Sequence, residues 1–322
     1  MFDFAVESQS EQSIFDQQKH FDFAVIGGGP AGMNAALYAI RKGLSVAVFS
    51  LEIGGQLHNT SEVDNYIGIE HTTGGQLSES FHHHVLELGV PIKTGHMVTK
   101  LEKPDDFHIT LDNGDVYTAQ TVLYATGGAP RKLGVKGEDE FANKGVSYCT
   151  TCDAPFFKNE HVIVAGGGNS AAESVVDLAA WASKITVVHR SQWRADQIIL
   201  DQFKDINDLT IHLETQILEI FGDTKMRGVR VLDKTTQEER VIEADGMFVE
   251  IGNIPKSKLL DGLVEMNEQH EIIVNRDQET SLEGLYAAGD VTTQPYKQII
   301  ISAAEGAVAA LAATQYLMHH KK

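Results

Sequence analysis

The sequence predicts an α/β protein with two Rossmann-like, three-layer dinucleotide-binding domains, the second inserted into the first. Two observations carry this prediction. A glycine fingerprint occurs at residues 27–32 and another at residues 166–171, and each lies between a short apolar run and an amphipathic helical pattern. Each helical pattern is followed by a further apolar run, and this strand–turn–helix–strand order is what makes such a fingerprint specific.

Length and composition limit the possible functions. A chain of 322 residues is long enough for about two domains. Its formal charge of -19 favours neither nucleic acid nor an anionic membrane surface as a partner. No apolar run is expected to reach the ~20 residues of a membrane helix, and residues 1–20 lack the pattern of a secretory signal. These features predict a cytoplasmic protein.

The first fingerprint follows a predicted strand at 21–26 and precedes a helix at 33–41 and a strand at 45–49. Glycines permit the tight turn, the approach of a pyrophosphate to the backbone, and close packing of helix on strand. The pyrophosphate would lie at the helix N-terminus, where unpaired amides favour an anion. The candidate residues are Gly27, Gly29, Pro30, Ala31 and Gly32. Glu52, beyond the second strand, either accepts a ribose hydroxyl or is a surface charge.

The second fingerprint follows a predicted strand at 161–165 and precedes a helix at 172–182 and a strand at 184–188. Its candidate residues are Gly166, Gly168, Asn169, Ser170 and Ala171. The segment after the last strand carries His189, Arg190 and Arg194, and no acid, at the point where dinucleotide folds distinguish NAD from NADP. An acid there is typical of NAD sites and an arginine of NADP sites, so the sequence favours NADP.

Cys149 and Cys152 are the only cysteines and lie between the two fingerprints, with Asp153 next to them. A zinc site would need about four ligands, and we predict no metal. A thioredoxin-type site would need its own small fold, which does not surround this pair. A redox-active dithiol served by two nucleotide sites is the interpretation we favour. Asp153 either handles the proton of thiol exchange or caps a helix or turn.

Glycine-rich crossings divide the remaining sequence. Residues 107–125 predict hairpin strands, and residues 211–250 predict further strands. We expect a solvated extension at 1–20, a first domain formed by 21–126 and 252–322, and an inserted domain at 127–251. The inserted domain would carry both the second fingerprint and the cysteines.

Together these motifs resemble the low-molecular-weight thioredoxin reductases of the pyridine nucleotide–disulfide oxidoreductase class. The resemblance covers nearly all of the chain after residue 20. It implies FAD in the first site, NADPH in the second, and a homodimer. It also implies an FAD-contacting set: Gly55, Gln56, Leu57, Asn65, Thr126, Gly127, Gly289, Asp290, Lys297, Gln298 and Ile299. Within that set, Asp290 would contact the ribityl or phosphate region, and Asn65 and Gln298 would lie near the isoalloxazine.

The activity implied by the resemblance is thioredoxin-disulfide reduction. Electrons would pass from NADPH through FAD to the dithiol and then to thioredoxin or a thioredoxin-like disulfide. Cys152 would face the flavin and Cys149 would attack the partner. We expect the inserted domain to rotate, with hinges near residues 127–128 and 252–253. A redox-sensing module that binds FAD without turnover is the alternative from a different class.

Some residues depart from that family. Ser191 stands where a second arginine is usual, which weakens a 2′-phosphate clamp. Residues 154–158, 195–197 and 292–301 resemble the flavoprotein component of alkyl hydroperoxide reductase instead. Such flavoproteins use NADH and carry an N-terminal dithiol domain, which we expect to be absent because no cysteine precedes Cys149. NADH, reduced ferredoxin or another flavoprotein as donor, or service to a peroxidase system, therefore remain alternatives.

Overall fold

A computed structural model describes residues 14–60 and 62–320 of the chain. The chain forms two compact units. The outer unit comprises the chain up to Ala129 together with the chain from Ile254 onward, and the inserted unit is Pro130–Asn253. Residues 1–13 lie outside the described part, and with them most of the expected N-terminal extension.

The described residues form short strands, α-helices and 3-10 turns. The strands are β1 (His20–Gly28), β2 (Val46–Ile53), β3 (Ile92–Thr94), β4 (Val98–Glu102), β5 (Phe107–Leu111), β6 (Val116–Tyr124), β7 (Gly128–Pro130), β8 (Val146–Ser147), β9 (His161–Ala165), β10 (Lys184–Val188), β11 (Leu209–His212), β12 (Thr215–Gly222), β13 (Met226–Asp233), β14 (Glu239–Glu243), β15 (Gly246–Val249), β16 (Asn253–Pro255) and β17 (Leu285–Ala287). The helices are α1 (Pro30–Arg41), α2 (Gly74–Glu87), α3 (Thr150–Asp153), α4 (Asn169–Leu178), α5 (Gln197–Leu200) and α6 (Ile299–His320). The 3-10 turns are Gly55–Asn59, Ala154–Phe157, Asp201–Asp205 and Lys258–Leu260.

The outer unit is built on a sheet of order β3-β2-β1-β6-β5-β4, with β17 also paired to β6. Strands β1, β2, β3, β6 and β17 run parallel, while β4, β5 and β6 form antiparallel pairs. Alternate residues of β1 point to opposite faces, as the twofold period of a strand requires. Phe23 and Val25 enter the core shared with α1 and α6, whereas Ala24 and Ile26 enter the core on the other face.

The inserted unit repeats this arrangement. Its parallel sheet has the order β11-β10-β9-β15-β8, and a three-stranded antiparallel sheet, β12-β13-β14, accompanies it. Val162 and Val164 of β9 pack against α4, while Ile163 and Ala165 pack toward the antiparallel strands. Helix α4 ends at Leu178, not at residue 182 as predicted, because residues 179–182 form a turn that leads into β10.

Helix α6 differs from the expectation that no apolar run reaches the length of a membrane helix. With 22 residues it is the one described helix long and apolar enough to cross a membrane by length and composition. Its apolar residues instead serve the core of the outer unit, where Ala309, Ala310 and Ala313 pack in the same cluster as the alanines of α1. The contact is close enough that a Cβ on Gly306 would lie 2.0 Å from the Ala31 oxygen. These are the properties of a core helix.

Residues 14–20 are mostly exposed, as the predicted extension would be, but one of them packs into the core. A helical turn at 14–17 places Phe15 at 1% exposure. Its ring meets those of Phe21, Phe49 and Tyr117 with centroids 5.4–6.1 Å apart. The segment therefore closes one face of the sheet. The sequence did not predict this packing because the segment has few apolar residues among many polar ones.

Candidate active site

The first fingerprint forms an open helix N-terminus between β1 and α1. Gly27 has φ 119°, and a Cβ there would lie 2.2 Å from the Ala125 oxygen, so only glycine fits. A Cβ on Gly32 would lie 2.0 Å from the Gly27 oxygen, whereas one on Gly29 would meet nothing within 4 Å. The backbone therefore packs closely at Gly27 and Gly32 and stays accessible at Gly29. Pro30 and Ala31 are the first residues of α1.

The cap of α1 distinguishes it from an ordinary surface helix. Helix α2 is capped by its own chain, because Thr73 and Gln76 form a capping box. In the described chain, Gly29 gives α1 no side-chain cap, and Pro30 occupies the first turn. The remaining amides are left for an external acceptor. This terminus fits the pyrophosphate of a dinucleotide.

The carboxylate of Asp290 faces the 3-10 turn that carries Gly55, Gln56 and Leu57. Gln56 Nε2 donates to its Oδ2 at 2.7 Å, and Ser302 Oγ donates to its Oδ1 at 3.3 Å. Burial raises the pKa of Asp290, and Lys297 and these two donors oppose that shift. Gly289, with φ 78°, turns the chain before Asp290, and its N–H donates to Glu305 at 2.7 Å.

Asn65 and Gln298 lie in contact with each other, and their position near the isoalloxazine stays a prediction. Asn65 Nδ2 donates to Gln298 Oε1 at 3.2 Å. Lys297 is engaged by protein, since its Nζ donates to the Thr292 oxygen at 2.7 Å and pairs with Glu271 at 3.0 Å. Its expected contact with FAD would have to compete with these two interactions.

Other residues predicted to contact FAD also pack against, or form hydrogen bonds with, the protein itself. Leu57 is buried in a small apolar cluster, and Ile299 packs against that cluster. Thr126 Oγ1 donates to the Lys256 oxygen at 2.8 Å, and Gly127, with φ 69°, accepts from the Lys256 N–H. Glu52 is exposed at the end of β2, and its backbone oxygen accepts from Ser50.

The cysteines form a disulfide at the start of α3. Cys149 is the residue before the helix, and Cys149 and Cys152 are joined with a Cα–Cα distance of 5.3 Å. Ser147, which the sequence did not single out, binds two parts of this segment. Its Oγ donates to Asp153 Oδ2 at 2.6 Å and accepts from the Cys149 N–H at 3.1 Å. A buried hydroxyl therefore fixes the orientation of Asp153 relative to the cysteine segment.

The second fingerprint has the same form as the first. A Cβ on Gly166 would lie 2.2 Å from the Glu250 oxygen, while one on Gly168 would meet nothing within 4 Å. Gly168 gives α4 no side-chain cap from the described residues. Asn169 is held by Asp196, with both hydrogen bonds at 2.8 Å, and Ala171 is buried. The terminus fits a second dinucleotide phosphate.

The segment from His189 to Arg194 lies directly on this turn. The Arg194 N–H donates to the Gly167 oxygen at 2.8 Å, and a Cβ on Gly167 would meet the His189 ring at 2.2 Å. His189 is 5% exposed, its ring stacks on Trp193, and its Nε2 lies 3.0 Å from Ser191 Oγ. Burial first, and then the charges of Arg194 and Arg190, lower the pKa of His189. A neutral, packed imidazole thus orients the segment.

Two residues of the described chain that the sequence analysis missed approach this segment from other strands. Glu214 receives a hydrogen bond from Gln192 at 3.1 Å and an ion pair from Lys234 at 3.4 Å. Lys234 also donates to the Arg190 oxygen at 2.9 Å. The segment itself carries no acid, as its sequence shows, but Glu214 reaches it in space from the turn between β11 and β12. Lys234 balances its charge.

A third missed residue is Glu250, directly after β15. Its carboxylate accepts from Thr150 Oγ1 at 3.0 Å and from Ser170 Oγ at 2.5 Å. Burial raises the pKa of Glu250, and hydrogen bonds from Ser170, Thr150 and Ser174 oppose this shift. Glu250 thus touches both the second fingerprint and the residue after Cys149. Only the spatial order of β15 beside β9 brings these segments together.

Comparison with known proteins establishes the family. The profile of the pyridine nucleotide-disulphide oxidoreductases matches residues 21–309. The chain belongs to this family. Membership implies an oxidoreductase that uses FAD and a pyridine nucleotide, and the two open glycine turns fit these two groups.

Relatives within the family fall into two kinds. The F component of alkyl hydroperoxide reductase from Staphylococcus aureus (strain NCTC 8325 / PS 47) is 38% identical over 315 residues. That match covers 97% of this chain and 62% of the relative, so the chain spans less than two thirds of it. The same component from Staphylococcus epidermidis (strain ATCC 12228 / FDA PCI 1200) matches with the same identity and coverage.

Solved structures give the second kind. The thioredoxin reductase from Streptococcus pyogenes MGAS5005 has a TM-score of 0.89 and 33% identity, covering 94% of this chain and 99% of that chain. The thioredoxin reductase from Giardia duodenalis has a TM-score of 0.88 and 30% identity, covering 94% of this chain and 100% of that chain. The predicted fold class and the resemblance to both groups are confirmed.

Proposed function

We propose that this chain is an FAD-dependent thioredoxin-disulfide reductase that takes electrons from NADPH. The observation that carries the proposal is the combination, in one chain, of two uncapped glycine turns and the Cys149–Cys152 disulfide. The glycine turn before α1 would hold FAD and the one before α4 would hold NADPH, and together they would supply two electrons to the Cys149–Cys152 disulfide. The acceptor would be thioredoxin or a thioredoxin-like protein in a reducing cytoplasm.

The chain's own residues carry the exchange with the acceptor. After reduction, the Cys149 thiolate bonds to one sulfur of the acceptor disulfide while that S–S bond breaks. The departing thiolate takes a proton, and the proposed donor is Asp153, whose carboxyl group is oriented by Ser147. Cys152 Sγ then bonds to Cys149 Sγ while the mixed disulfide between Cys149 and the acceptor breaks. The proton of the Cys152 thiol goes to the departing sulfur, so the internal disulfide is restored and the acceptor leaves as a dithiol. Two electrons and two protons have then passed to the acceptor.

Charges around the second fingerprint support NADPH as the donor. Arg190 and Arg194 are exposed, and neither guanidinium forms an ion pair with any residue in the described ranges. Glu214 opposes a phosphate, but Lys234 pairs with it. At the segment from His189 to Arg194, these three cations against Glu214 favour a 2′-phosphate, while Asp196 and Glu250 contact the first turn of α4 instead. The single Arg190, without a second adjacent arginine, predicts modest selectivity.

Anaerobic titration of the FAD-loaded protein, first with NADPH and then with NADH, tests the donor by bleaching of the flavin. Oxidised thioredoxin added afterwards should restore the flavin absorbance. Cys149→Ser should leave flavin reduction by NADPH intact and abolish reduction of the acceptor. Full turnover by Cys149→Ser, or no bleaching by either nucleotide, would contradict the proposal.

Rotation of the inserted unit is part of the proposal, because one flavin must serve both the nucleotide and the dithiol. Gly127 and Gly252 have φ 69° and 101°, which suits positions that absorb backbone rotation. Gly127 directly precedes β7 and Gly252 directly precedes β16. These two short strands pair with each other as a two-stranded sheet. A crosslink between the units should slow turnover. An unchanged steady-state rate in the crosslinked protein would remove the need for rotation.

The 38% identity to the F component of alkyl hydroperoxide reductase favours a second candidate, in which the acceptor serves a peroxidase and NADH is the donor. A coupled assay with thioredoxin or the dithiol domain of such a flavoprotein, plus a peroxidase and an organic hydroperoxide, separates the two. Preference for the dithiol domain and for NADH would favour this candidate. We also propose a homodimer, as the resemblance implies, which light scattering tests.

A further inference from the structure

Glu250 holds two segments that the proposed function treats separately. One is the first turn of α4, where Ser170 follows the open cap at Gly168, and the other is Thr150, the residue after Cys149. Ser170 Oγ donates to one carboxylate oxygen of Glu250, and Thr150 Oγ1 donates to the other. A single buried acid therefore lies between the nucleotide turn and the cysteine segment of the same unit.

We propose that Glu250 is a positioning residue that couples the nucleotide turn to the disulfide segment, an inference that rests on the proposed function. Its position is fixed from the backbone, since its N–H donates to the Ala165 oxygen at 2.8 Å and its own oxygen is close to Gly166. The carboxylate cannot move without disturbing Thr150 or Ser170. A change in the hydrogen bond from Thr150 therefore changes how strongly the negative charge of Glu250 acts on Ser170. The reverse holds for a change in the hydrogen bond from Ser170.

The sign of this coupling follows from the charge. The hydroxyl proton of Ser170 is committed to Glu250, so it is not available to an incoming phosphate. An anion at the helix N-terminus also offsets the favourable field that a phosphate would meet there. Glu250→Gln removes the charge and keeps the shape, so NADP+ should bind about three- to tenfold more tightly.

Thr150→Val tests the coupling from the cysteine side. Removing the Thr150 hydroxyl leaves the carboxylate with one donor fewer, so it holds Ser170 more strongly and repels phosphate more. The dissociation constant of NADP+, measured by fluorescence of Trp193 or by calorimetry, should rise at least about twofold. In the Glu250→Gln background the same substitution should have no effect. An equal effect in both backgrounds, or none in either, would overturn the inference.

Ser170→Ala tests the coupling from the nucleotide side without any nucleotide. Loss of its hydroxyl leaves more negative charge beside the cysteine segment, which repels an attacking thiolate. Reduction of the disulfide by dithiothreitol should slow at least about twofold with Glu250 present and stay unchanged in Glu250→Gln. If the wild type binds no NADP+, the proposed function fails, while this second measurement still decides the coupling.

Ser147→Ala is the matched control for the first measurement. It disturbs the same cysteine segment through Asp153 and makes no contact with Glu250 that the described structure shows. The affinity for NADP+ should therefore not change in Ser147→Ala. A loss of affinity as large as that of Thr150→Val would mean that any damage to the segment is transmitted, and Glu250 would lose its special role.

Discussion

Replacing Ser147 by alanine should separate the two halves of the reaction. The hydroxyl is 4% exposed, and it joins Asp153 and the Cys149 N–H at 2.6 Å and 3.1 Å. A hydrogen bond to a charged group is worth about 1.5–3 kcal/mol. If about 1.4 kcal/mol of this loss reaches the exchange barrier, reduction of the acceptor slows about tenfold.

Stopped-flow absorbance measures both steps in the same sample. Flavin reduction by NADPH should keep its wild-type rate in Ser147→Ala, because the hydroxyl contacts only the cysteine segment. Reoxidation by oxidised thioredoxin should slow by the factor above. Thr121→Val is the matched control, since it removes a buried hydroxyl that donates to a backbone oxygen at 2.7 Å. Equal slowing of both steps, or normal reoxidation in Ser147→Ala, would refute the reasoning.

Three further outcomes are expected. Gly32→Ala, whose Cβ would lie 2.0 Å from a backbone oxygen, should lose bound FAD and about 1–3 kcal/mol of stability, whereas Gly75→Ala, with its nearest atom at 3.9 Å, should not. Replacing both Arg190 and Arg194 by alanine should raise KM for NADPH about tenfold, allowing for their exposure, and leave KM for NADH unchanged. Burial lowers the pKa of His161 below its usual 6.5, so the unfolded chain takes up a proton that the folded chain refuses, and stability falls with pH below that value. Calorimetric unfolding between pH 7 and 5 should therefore show a shallower decline in His161→Gln, by up to about 1.4 kcal/mol per pH unit.

The strands and helices next to the two glycine turns were predictable because each depends on a local sequence pattern. Apolar runs, glycines and amphipathic periodicity located β1, α1, β9 and β10 to within a few residues, since each signal lies within one short stretch. The helix at 14–17 escaped because its burial depends on aromatic partners from β1, β2 and β6. Its own sequence offers only one deeply buried side chain.

The residues of the candidate site likewise divide into those that a local sequence pattern predicts and those that only the fold brings together. The glycine turns and the cysteine pair were predictable, because backbone conformation and thiol chemistry restrict which residues can serve. Ser147, Glu214 and Glu250 were not, because each acts across a strand order that no local pattern encodes. Lys297, which the resemblance implies as an FAD contact, is also engaged by Glu271 and a backbone oxygen, and its contact with FAD stays a prediction.

The disulfide spans only three positions along the chain. A ring that small removes little freedom from the unfolded polypeptide, about 2 kcal/mol by the chain-entropy relation, against ~4.7 kcal/mol for a 100-residue loop. By this relation, opening the disulfide lowers the free energy of unfolding by less than half as much as opening a 100-residue loop would.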